Sequence, residues 1–599
     1  MYYKFHMSDK NSKKNGADIY PGKVLVVTGI TGLGYNIAPQ IGIYQIMNYL
    51  NYKNIDCEIY DRDLEFYKKT NFNKKEVLEN IRKGEYDVIG ISVSHSKAND
   101  ENGKTVQKMC IDLDLIWEMR QAAKESGKMP VFVAGGQAAT LNYKQWLDYG
   151  IDLIVLGYGE KTFYDICQQY FSIPRENREV SKLIEQIDGV RGVSFKEKSG
   201  IYRYTPTLHV TKELFKELFF DLPQKMPIPY QKFWDILKET SATQDLGAAE
   251  FIYENVRVYT TSHCPRMCGF CNSGQYLKET TAQEKDLMIN RNEEGIRFSK
   301  GVQKLVRLDA QEVMDLIMFY IKNYGAKSFL FSDDDFALKG TDNRTEKFAD
   351  LVIEYKEKNI IDKNISFHCQ THVTDWLLPD QSPNIKLLRK IKKAGFKSIS
   401  MGVETFTDGV ITSKSINKQG YRSKHSQAVL DAMLQCGISP QTNVILGVPE
   451  YTPEELLKTV DVALEYVTKG CDIAISRQLM ALPGAPIYES GLYKVKYDHF
   501  KHPVTNEKFS IPDYFIPNHP VVAKAMEVYD DGVRRVLNEV NKKMNWKGKN
   551  PPKRVVQIAG LTCLPELLGK PELAPKYNKI LDDVLSGKCK ANGFAFADV

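Results

Sequence analysis

Short apolar segments alternate with amphipathic ones over the first third of the chain. The apolar segments predict strands at residues 23–28, 56–60, 88–93, 130–134 and 153–156. Helical patterns fill the intervals, at residues 37–50, 73–82, 111–126 and 141–149. Nearly continuous apolar strands separated by helices are typical of a parallel sheet that is covered on both faces. The pattern therefore predicts an α/β, doubly wound, Rossmann-like domain over residues 21–175.

The same alternation returns in the middle of the chain. Strands are predicted near residues 256–260, 328–331, 365–369, 398–402, 441–446 and 472–479. Six such repeats predict a full or partial β/α barrel of the TIM type, whose active site would lie at the carboxyl ends of the strands. We expect a disordered lead at 1–20, a linker at 176–250, the barrel core at 251–490 and a helical C-terminal cap at 491–599.

Composition narrows the class of protein. A chain of 599 residues with 43% hydrophobic and 26% charged residues is typical of a globular protein of several units. No apolar run reaches the ~18 residues that a membrane span needs. The net charge of +6 is small and both signs are interspersed, which does not favour nucleic acid as a partner. The polar, basic N-terminus has no apolar signal stretch, so we expect a cytoplasmic protein.

Three of the eleven cysteines lie within eight residues, directly after a predicted strand: Cys264, Cys268 and Cys271. Three thiolates on a short loop can bind three irons of a [4Fe–4S] cube and leave the fourth iron open. The alternative is a structural zinc site with His263 or a distant cysteine as fourth ligand. Such sites usually use two Cys-x-x-Cys knuckles, and the chain has no second one.

The spacing Cys-x-x-x-Cys-x-aromatic-Cys after the first barrel strand resembles the radical S-adenosylmethionine (SAM) superfamily, over residues 250–490. The resemblance implies that the amino and carboxylate groups of SAM bind the open iron, with Phe270 near the adenine. It implies reductive cleavage of SAM to a 5′-deoxyadenosyl radical, with electrons from a donor such as flavodoxin or ferredoxin.

Other barrel strand ends carry residues that the resemblance would assign to SAM. Glu404 would contact its ribose or methionine groups, and Gly447 would pass close to the adenine. Ser332 and Asp333 begin a Ser-Asp-Asp-Asp segment where the superfamily often has Gly-Gly-Glu. A solvated acidic turn or a Mg²⁺ or Ca²⁺ site is the alternative for the aspartates. His368 and His372, near the third strand, face the substrate or serve as structural histidines.

Small residues follow the strands of the N-terminal domain. They are Gly29 after the first strand, Ser92 and Ser94 after the third, Gly135 and Gly136 after the fourth, and Gly157, Gly159 and Glu160 after the fifth. Such residues at the carboxyl ends of a doubly wound sheet leave a crevice where a large planar ligand can approach the backbone. The glycine spacing of the first loop fits neither a dinucleotide nor a phosphate loop, although Asp61 gives the dinucleotide alternative some support.

These strand ends resemble the cobalamin-binding domain of class B radical SAM methyltransferases and of related rearrangement enzymes. The Asp-x-His-x-x-Gly motif is absent, which implies that cobalt lacks a histidine on its lower face or that the domain binds no cofactor. His95 is a possible neighbour of the corrin or a loop histidine with local hydrogen bonds.

The combined pattern predicts an enzyme with a [4Fe–4S] cluster, SAM and cobalamin that methylates an unactivated carbon, or phosphorus, of a small metabolite or natural-product precursor. Two alternatives remain open. One is radical cyclisation, ring contraction or rearrangement without methyl transfer, and the other is a cobalamin-binding sensor with a structural metal site. Neither the substrate nor a catalytic residue is assigned by the sequence.

Overall fold

The computed structural model describes residues 21–29, 38–66, 73–93, 97–99, 105–244, 254–266, 268–273, 305–340, 342–418, 420–501, 508–544 and 553–586. The expected lead at 1–20, Ser94 and His95 lie outside these ranges. Within the described ranges, no helix combines the length and the apolar character that crossing a membrane would require.

The N-terminal domain is built on a seven-stranded sheet. Its strands are β1 (Lys23–Val27), β2 (Asp56–Tyr60), β3 (Val88–Ser92), β6 (Val131–Gly135), β7 (Leu153–Val155), β8 (Val193–Lys196) and β9 (Tyr202–Tyr204), and a separate hairpin is formed by β4 (Lys97–Asn99) and β5 (Thr105–Gln107). The order is β2-β1-β3-β6-β7-β8-β9, and the first five strands are parallel. This confirms the predicted doubly wound sheet.

Helices cover both faces of this sheet. They are α1 (Ile41–Tyr52), α2 (Arg62–Phe66), α3 (Lys74–Arg82), α4 (Lys108–Ser126), α5 (Gln137–Leu141), α6 (Tyr143–Asp148) and α7 (Gly159–Phe171). Alternate residues of β1 point to opposite faces, so Val24 and Val26 join one buried cluster while Leu25 and Val27 join the other. Two cores therefore sandwich the sheet.

The segment 176–250 is more than the expected linker. It contains α8 (Val180–Glu185), α9 (Lys212–Lys216), a π-helical turn (Glu217–Asp221), α10 (Leu222–Lys225) and α11 (Tyr230–Gln244). Strands β8 and β9 extend the sheet edge in antiparallel pairing, because Val193, Phe195 and Tyr204 bury their side chains against it. The sheet thus continues about thirty residues past the predicted boundary at 175.

The barrel domain has six parallel strands in sequential order. They are β10 (Asn255–Val258), β11 (Ser328–Phe331), β12 (Ser366–Thr371), β13 (Phe396–Glu404), β14 (Ser439–Ile445) and β15 (Asp472–Ser476). The helices are α12 (Ala310–Tyr324), α13 (Arg344–Glu357), α14 (Ile385–Ala394), α15 (Asp408–Ile411), α16 (Ser423–Gln435), α17 (Pro453–Lys469) and α18 (Pro486–Glu489). The described strands form a partial barrel, as predicted.

The C-terminal region is mainly helical, as predicted, and a hairpin precedes its helices. Strands β16 (Val495–Lys501) and β17 (Lys508–Phe515) form an antiparallel hairpin, followed by α19 (Pro520–Glu527), α20 (Tyr529–Met544), α21 (Lys553–Thr562), α22 (Leu564–Leu567) and α23 (Ala574–Leu585). The hairpin reaches back to the N-terminal domain, where the rings of Phe509 and Tyr149 meet at right angles 4.2 Å apart. It ties the two domains together.

Candidate functional site

The three cysteines lie on the loop that follows β10. The loop is fixed at Gly269, whose N–H donates to the Ile416 carbonyl (3.0 Å) and whose carbonyl accepts from the Ile487 N–H (2.9 Å). A Cβ at Gly269 would lie 2.2 Å from the carbonyl oxygen of Lys414, so the close approach requires glycine. The cysteine loop is thus held against the segments after β13 and β15.

Arg266, between the first two cysteines, anchors the same loop to two more strand ends. Its Nε donates to Asp335 (2.6 Å), its Nη2 to Asp375 (2.7 Å) and its Nη1 to the Thr374 hydroxyl (3.1 Å). Both carboxylates are almost fully buried. The planar guanidinium suits this fork of acceptors better than an ammonium group would. The sequence analysis missed this role, because no local pattern links Arg266 to residues that lie 69 and 109 positions away.

Asp333 holds the start of the cysteine loop. Its Oδ1 accepts the N–H groups of Thr260 (2.6 Å) and Thr261 (2.8 Å), and its Oδ2 accepts the Thr260 hydroxyl. Ser332 and Asp334 line the cavity described below, and Asp334 accepts the Ser273 hydroxyl. In the structure, Asp333 therefore positions the start of the cysteine loop, and its contact with SAM stays a prediction.

A buried ion pair lies behind Cys268. Glu404 ends β13 in the left-handed region (φ 66°), where a bulge turns its side chain towards Lys418, 3.0 Å away. Burial raises the pKa of the Cys268 thiol, and the positive charge of Lys418 offsets this only in part. The Lys418 ammonium lies 5.9 Å from the ring centre of Phe270. The sequence analysis did not predict Lys418. Gly447 lies at the end of β14, where a Cβ would meet the Arg477 carbonyl at 2.8 Å.

The cysteine loop suits an iron–sulfur cluster. Burial raises the pKa of Cys264 and of Cys271 to about 12, and a bound metal would favour the thiolate form that serves as its ligand. Three thiols on one short loop fit the three protein ligands of a [4Fe–4S] cube.

The two barrel histidines make local hydrogen bonds. His368 Nδ1 lies 2.6 Å from the Ser398 hydroxyl, and burial lowers the pKa of this imidazole to about 4. His372 Nδ1 lies 2.8 Å from the Thr374 hydroxyl and accepts the Thr374 N–H. These contacts favour the structural alternative for both residues.

One cavity of about 380 Å³ lies between the two domains. From the N-terminal domain it is lined by the predicted Ser92, Gly135, Gly136, Gly157, Gly159 and Glu160. From the barrel domain it is lined by Tyr259, Thr261, Ser262, His263, Ser273, Ser332, Asp333 and Asp334. Gly29 is not among these lining residues, and its carbonyl accepts the Gln40 side chain at 2.6 Å. The carboxyl strand ends of both sheets therefore face the same space.

The N-terminal half of the cavity is lined largely by glycines, which expose their backbone to it. Gly136 has φ 102°, and a Cβ there would lie 2.9 Å from the Val93 carbonyl. A Cβ at Gly90 would meet the Phe163 ring at 2.7 Å, and one at Gly159 would meet Ile46 at 3.0 Å. Larger side chains would fill the crevice between the sheet, α1 and α7. This cradle fits a large flat ligand such as a corrin with its appended groups.

Aromatic residues connect the crevice to the cysteine loop. The Tyr158 hydroxyl donates to the Ser262 carbonyl at 2.5 Å, two residues before Cys264. The Phe219 ring lies 5.7 Å from the ring of Tyr158 and 5.9 Å from that of Tyr259. Sequence periodicity gives no signal for Phe219, which lies in the π-helical turn outside both predicted domains.

Comparison with known proteins agrees with this division of the chain. A B12 binding domain model matches residues 28–166, and a radical SAM superfamily model matches residues 258–463. No curated protein sequence matches the chain.

Solved structures show the same fold over nearly the whole chain. One is TsrM, a radical S-adenosylmethionine methyltransferase from Kitasatospora setae with cobalamin and a [4Fe-4S] cluster bound: identity is 13%, the TM-score is 0.59, and 93% of this chain and 99% of that chain are covered. Another is OxsB, a cobalamin-dependent S-adenosylmethionine radical enzyme with aqua-cobalamin bound: identity is 14%, the TM-score is 0.60, and the coverage is 94% and 75%. The chain therefore contains a radical SAM domain that is preceded by a B12-binding domain.

Proposed function

We propose that this enzyme is a cobalamin-dependent methyltransferase that adds a methyl group to an unactivated carbon, or to phosphorus, of a small molecule. The observation that carries the proposal is the shared cavity. One wall is formed by the glycine-rich strand ends of the N-terminal domain. The other wall is formed by the strand ends of the barrel domain that lie beside the cysteine loop. A substrate between them would face both cofactor sites at once.

Residues of the chain would hold the three groups at separate places. Cys264, Cys268 and Cys271 would bind the cluster, while Phe270 and Glu404 would contact SAM. Gly135, Gly136, Gly157 and Glu160 would form the bed for cobalamin. When bound, these groups supply one-electron cleavage of SAM and carriage of a methyl group. The electrons would come from a partner such as flavodoxin or ferredoxin.

The lining of the cavity suits radical chemistry. Val26, Ile43, Val133 and Phe163 supply apolar surface on the N-terminal side. Apolar walls help to exclude water and other hydrogen donors from a reactive intermediate. Polar groups line both sides of the cavity, with Glu160 on the N-terminal side and the hydrogen-bonded pair Asp334 and Ser273 on the barrel side.

The test is transfer of a labelled methyl group. The anaerobically reconstituted enzyme would be incubated with cobalamin, a reductant, SAM carrying a deuterated methyl group, and a pool of small metabolites. Methyl transfer predicts a product heavier by one deuterated methyl group, together with 5′-deoxyadenosine. A product of unchanged mass, or one poorer in hydrogen, would replace methyl transfer by rearrangement. No SAM cleavage at all would support the sensor.

The matched control is Cys268→Ala. It removes one cluster ligand and leaves the glycine cradle intact, so it should bind cobalamin and form no labelled product. Labelled product formed by this variant would contradict the assignment of the cluster.

A further inference from the structure

Glu160 is a buried carboxyl group in the wall of the cavity. It lies in the first turn of α7 and is 4% exposed. Its side chain lines the cavity from the N-terminal domain, opposite Ser262 and Asp334 of the barrel domain. A carboxylate at this depth normally forms an ion pair or several hydrogen bonds.

Within the described part of the chain, the carboxyl group of Glu160 has backbone N–H groups as its partners and no charged side chain. No ion pair or side-chain hydrogen bond to Glu160 occurs within the described part of the chain. The groups that favour its charged form are its own backbone N–H and that of Gly159. The residues of α1, α7 and the sheet that line the same cavity include the apolar Ile46, Val155 and Phe163 and the polar, uncharged Gln45 and Ser92. The titratable groups that line it besides Glu160 are Tyr158, Tyr259, His263, Asp333 and Asp334. An ion pair on the same helix joins Lys161 to Asp165 and does not involve Glu160.

Burial decides the protonation state. It raises the pKa of Glu160 to about 7, and the two backbone N–H groups lower it only in part. No charged side chain contributes to this shift. A ligand that fills the cavity removes the remaining water and disfavours the charged form further. The protonated group is then a hydrogen-bond donor.

We propose that Glu160 binds cobalamin as an uncharged carboxyl group, by donating a hydrogen bond to a neutral acceptor atom of the ligand. The inference rests on the proposed cobalamin site. It goes further in naming the chemistry of the contact: an amide carbonyl of the corrin side chains or an unprotonated nitrogen of the nucleotide base. An ionised glutamate that only stabilises the helix N-terminus would be the ordinary structural role of an acid at this position.

The test is cobalamin affinity as a function of pH. Cyanocobalamin binding to the protein would be measured from about pH 6 to about pH 8.5. If the bound form requires the proton, affinity is full below about pH 7 and falls by up to about 30-fold at the upper end of the range. Glu160→Gln keeps an uncharged donor and should bind with little pH dependence. Glu160→Ala should bind weakly at every pH.

Asp165→Asn is the matched control, because it removes an acid from the same helix that faces Lys161. It should keep the pH dependence of the wild type. Equal pH profiles for the wild type and Glu160→Gln, with cobalamin bound by both, would overturn the inference and leave the proposed function intact. No cobalamin binding by the wild type at any pH would instead refute the cobalamin site itself.

A second ligand locates the acceptor. Cobinamide has the corrin amides and lacks the nucleotide. If its affinity shows the same pH dependence as that of cobalamin, the acceptor is a corrin amide. If the dependence disappears with cobinamide but remains with cobalamin, the acceptor belongs to the nucleotide. Both outcomes support the contact, whereas a pH-independent affinity for both ligands would contradict it.

Discussion

Replacement of Asp333 separates the positioning role of this residue from a direct contact with SAM. The carboxylate is 1% exposed and accepts three hydrogen bonds from Thr260 and Thr261. It also supports the charge of Arg344, whose pKa burial lowers to about 10. Asp333→Ala leaves two buried backbone N–H groups without their acceptor and Arg344 without this nearby carboxylate.

The expected loss in the free energy of unfolding follows from these contacts. Hydrogen bonds to charged groups contribute ~1.5–3 kcal/mol each, and such losses are not additive, so we expect about 4 kcal/mol for Asp333→Ala. Asp333→Asn keeps one oxygen for the two N–H groups and should cost about 1–2 kcal/mol. For a domain of this size, the alanine variant should lower the melting temperature by about 10 °C.

The assay is thermal unfolding of the cofactor-free protein, followed by tryptophan fluorescence, together with SAM binding to the reconstituted protein. If Asp333 positions the loop, the melting temperature of the cofactor-free protein should fall from the wild type to Asp333→Asn and further to Asp333→Ala. A melting temperature of the alanine variant within about 2 °C of the wild type, combined with loss of SAM binding, would refute this role. Asp333 would then be the SAM contact that the superfamily resemblance implies.

Three further substitutions test other parts of the site. Gly269→Ala places a Cβ 2.2 Å from the Lys414 carbonyl, so we expect loss of most bound iron at unchanged cobalamin binding, measured by iron and cobalt analysis. Arg266→Gln should lower iron incorporation several-fold because the loop loses its contacts to Asp335 and Asp375; retention by Arg266→Lys at the wild-type level would contradict the need for a planar fork. Gly136→Ala introduces a side chain at φ 102° and 2.9 Å from the Val93 carbonyl, so we expect cobalamin affinity to fall at least tenfold while iron content is unchanged. Equal loss of iron and cobalamin would instead indicate general unfolding.

The parallel strands could be predicted from the sequence because their chemistry is local. Strands such as β3 and β6 are buried on both faces, so they appear as continuous apolar runs. The antiparallel strands were not predicted, because they lack such continuous apolar runs. Among them are β8, β9, β16 and β17. They alternate polar with apolar residues over short lengths and contain no continuous apolar run that would distinguish them from the irregular segments around them.

The residues of the candidate site also differ in how well the sequence predicts their role. Cys264, Cys268 and Cys271 are close in sequence, so their spacing alone indicates a cluster. Lys418 and Tyr158 stand alone in the sequence and meet the cysteine loop only through the fold. For Asp333, the sequence indicates a strand end, but the direction of its carboxylate depends on where the Thr260 and Thr261 amides lie, and these belong to a different strand.

The central claim is that one chain holds both an iron–sulfur cluster and cobalamin on the two sides of a shared cavity. The most direct measurement counts iron, sulfide and cobalt per chain after anaerobic reconstitution, in the wild type and in Cys268→Ala. We expect about four irons and about one cobalt in the wild type, and loss of iron with retention of cobalt in the variant. Iron without cobalt, or neither metal, in the wild type would show that the chain does not hold both groups.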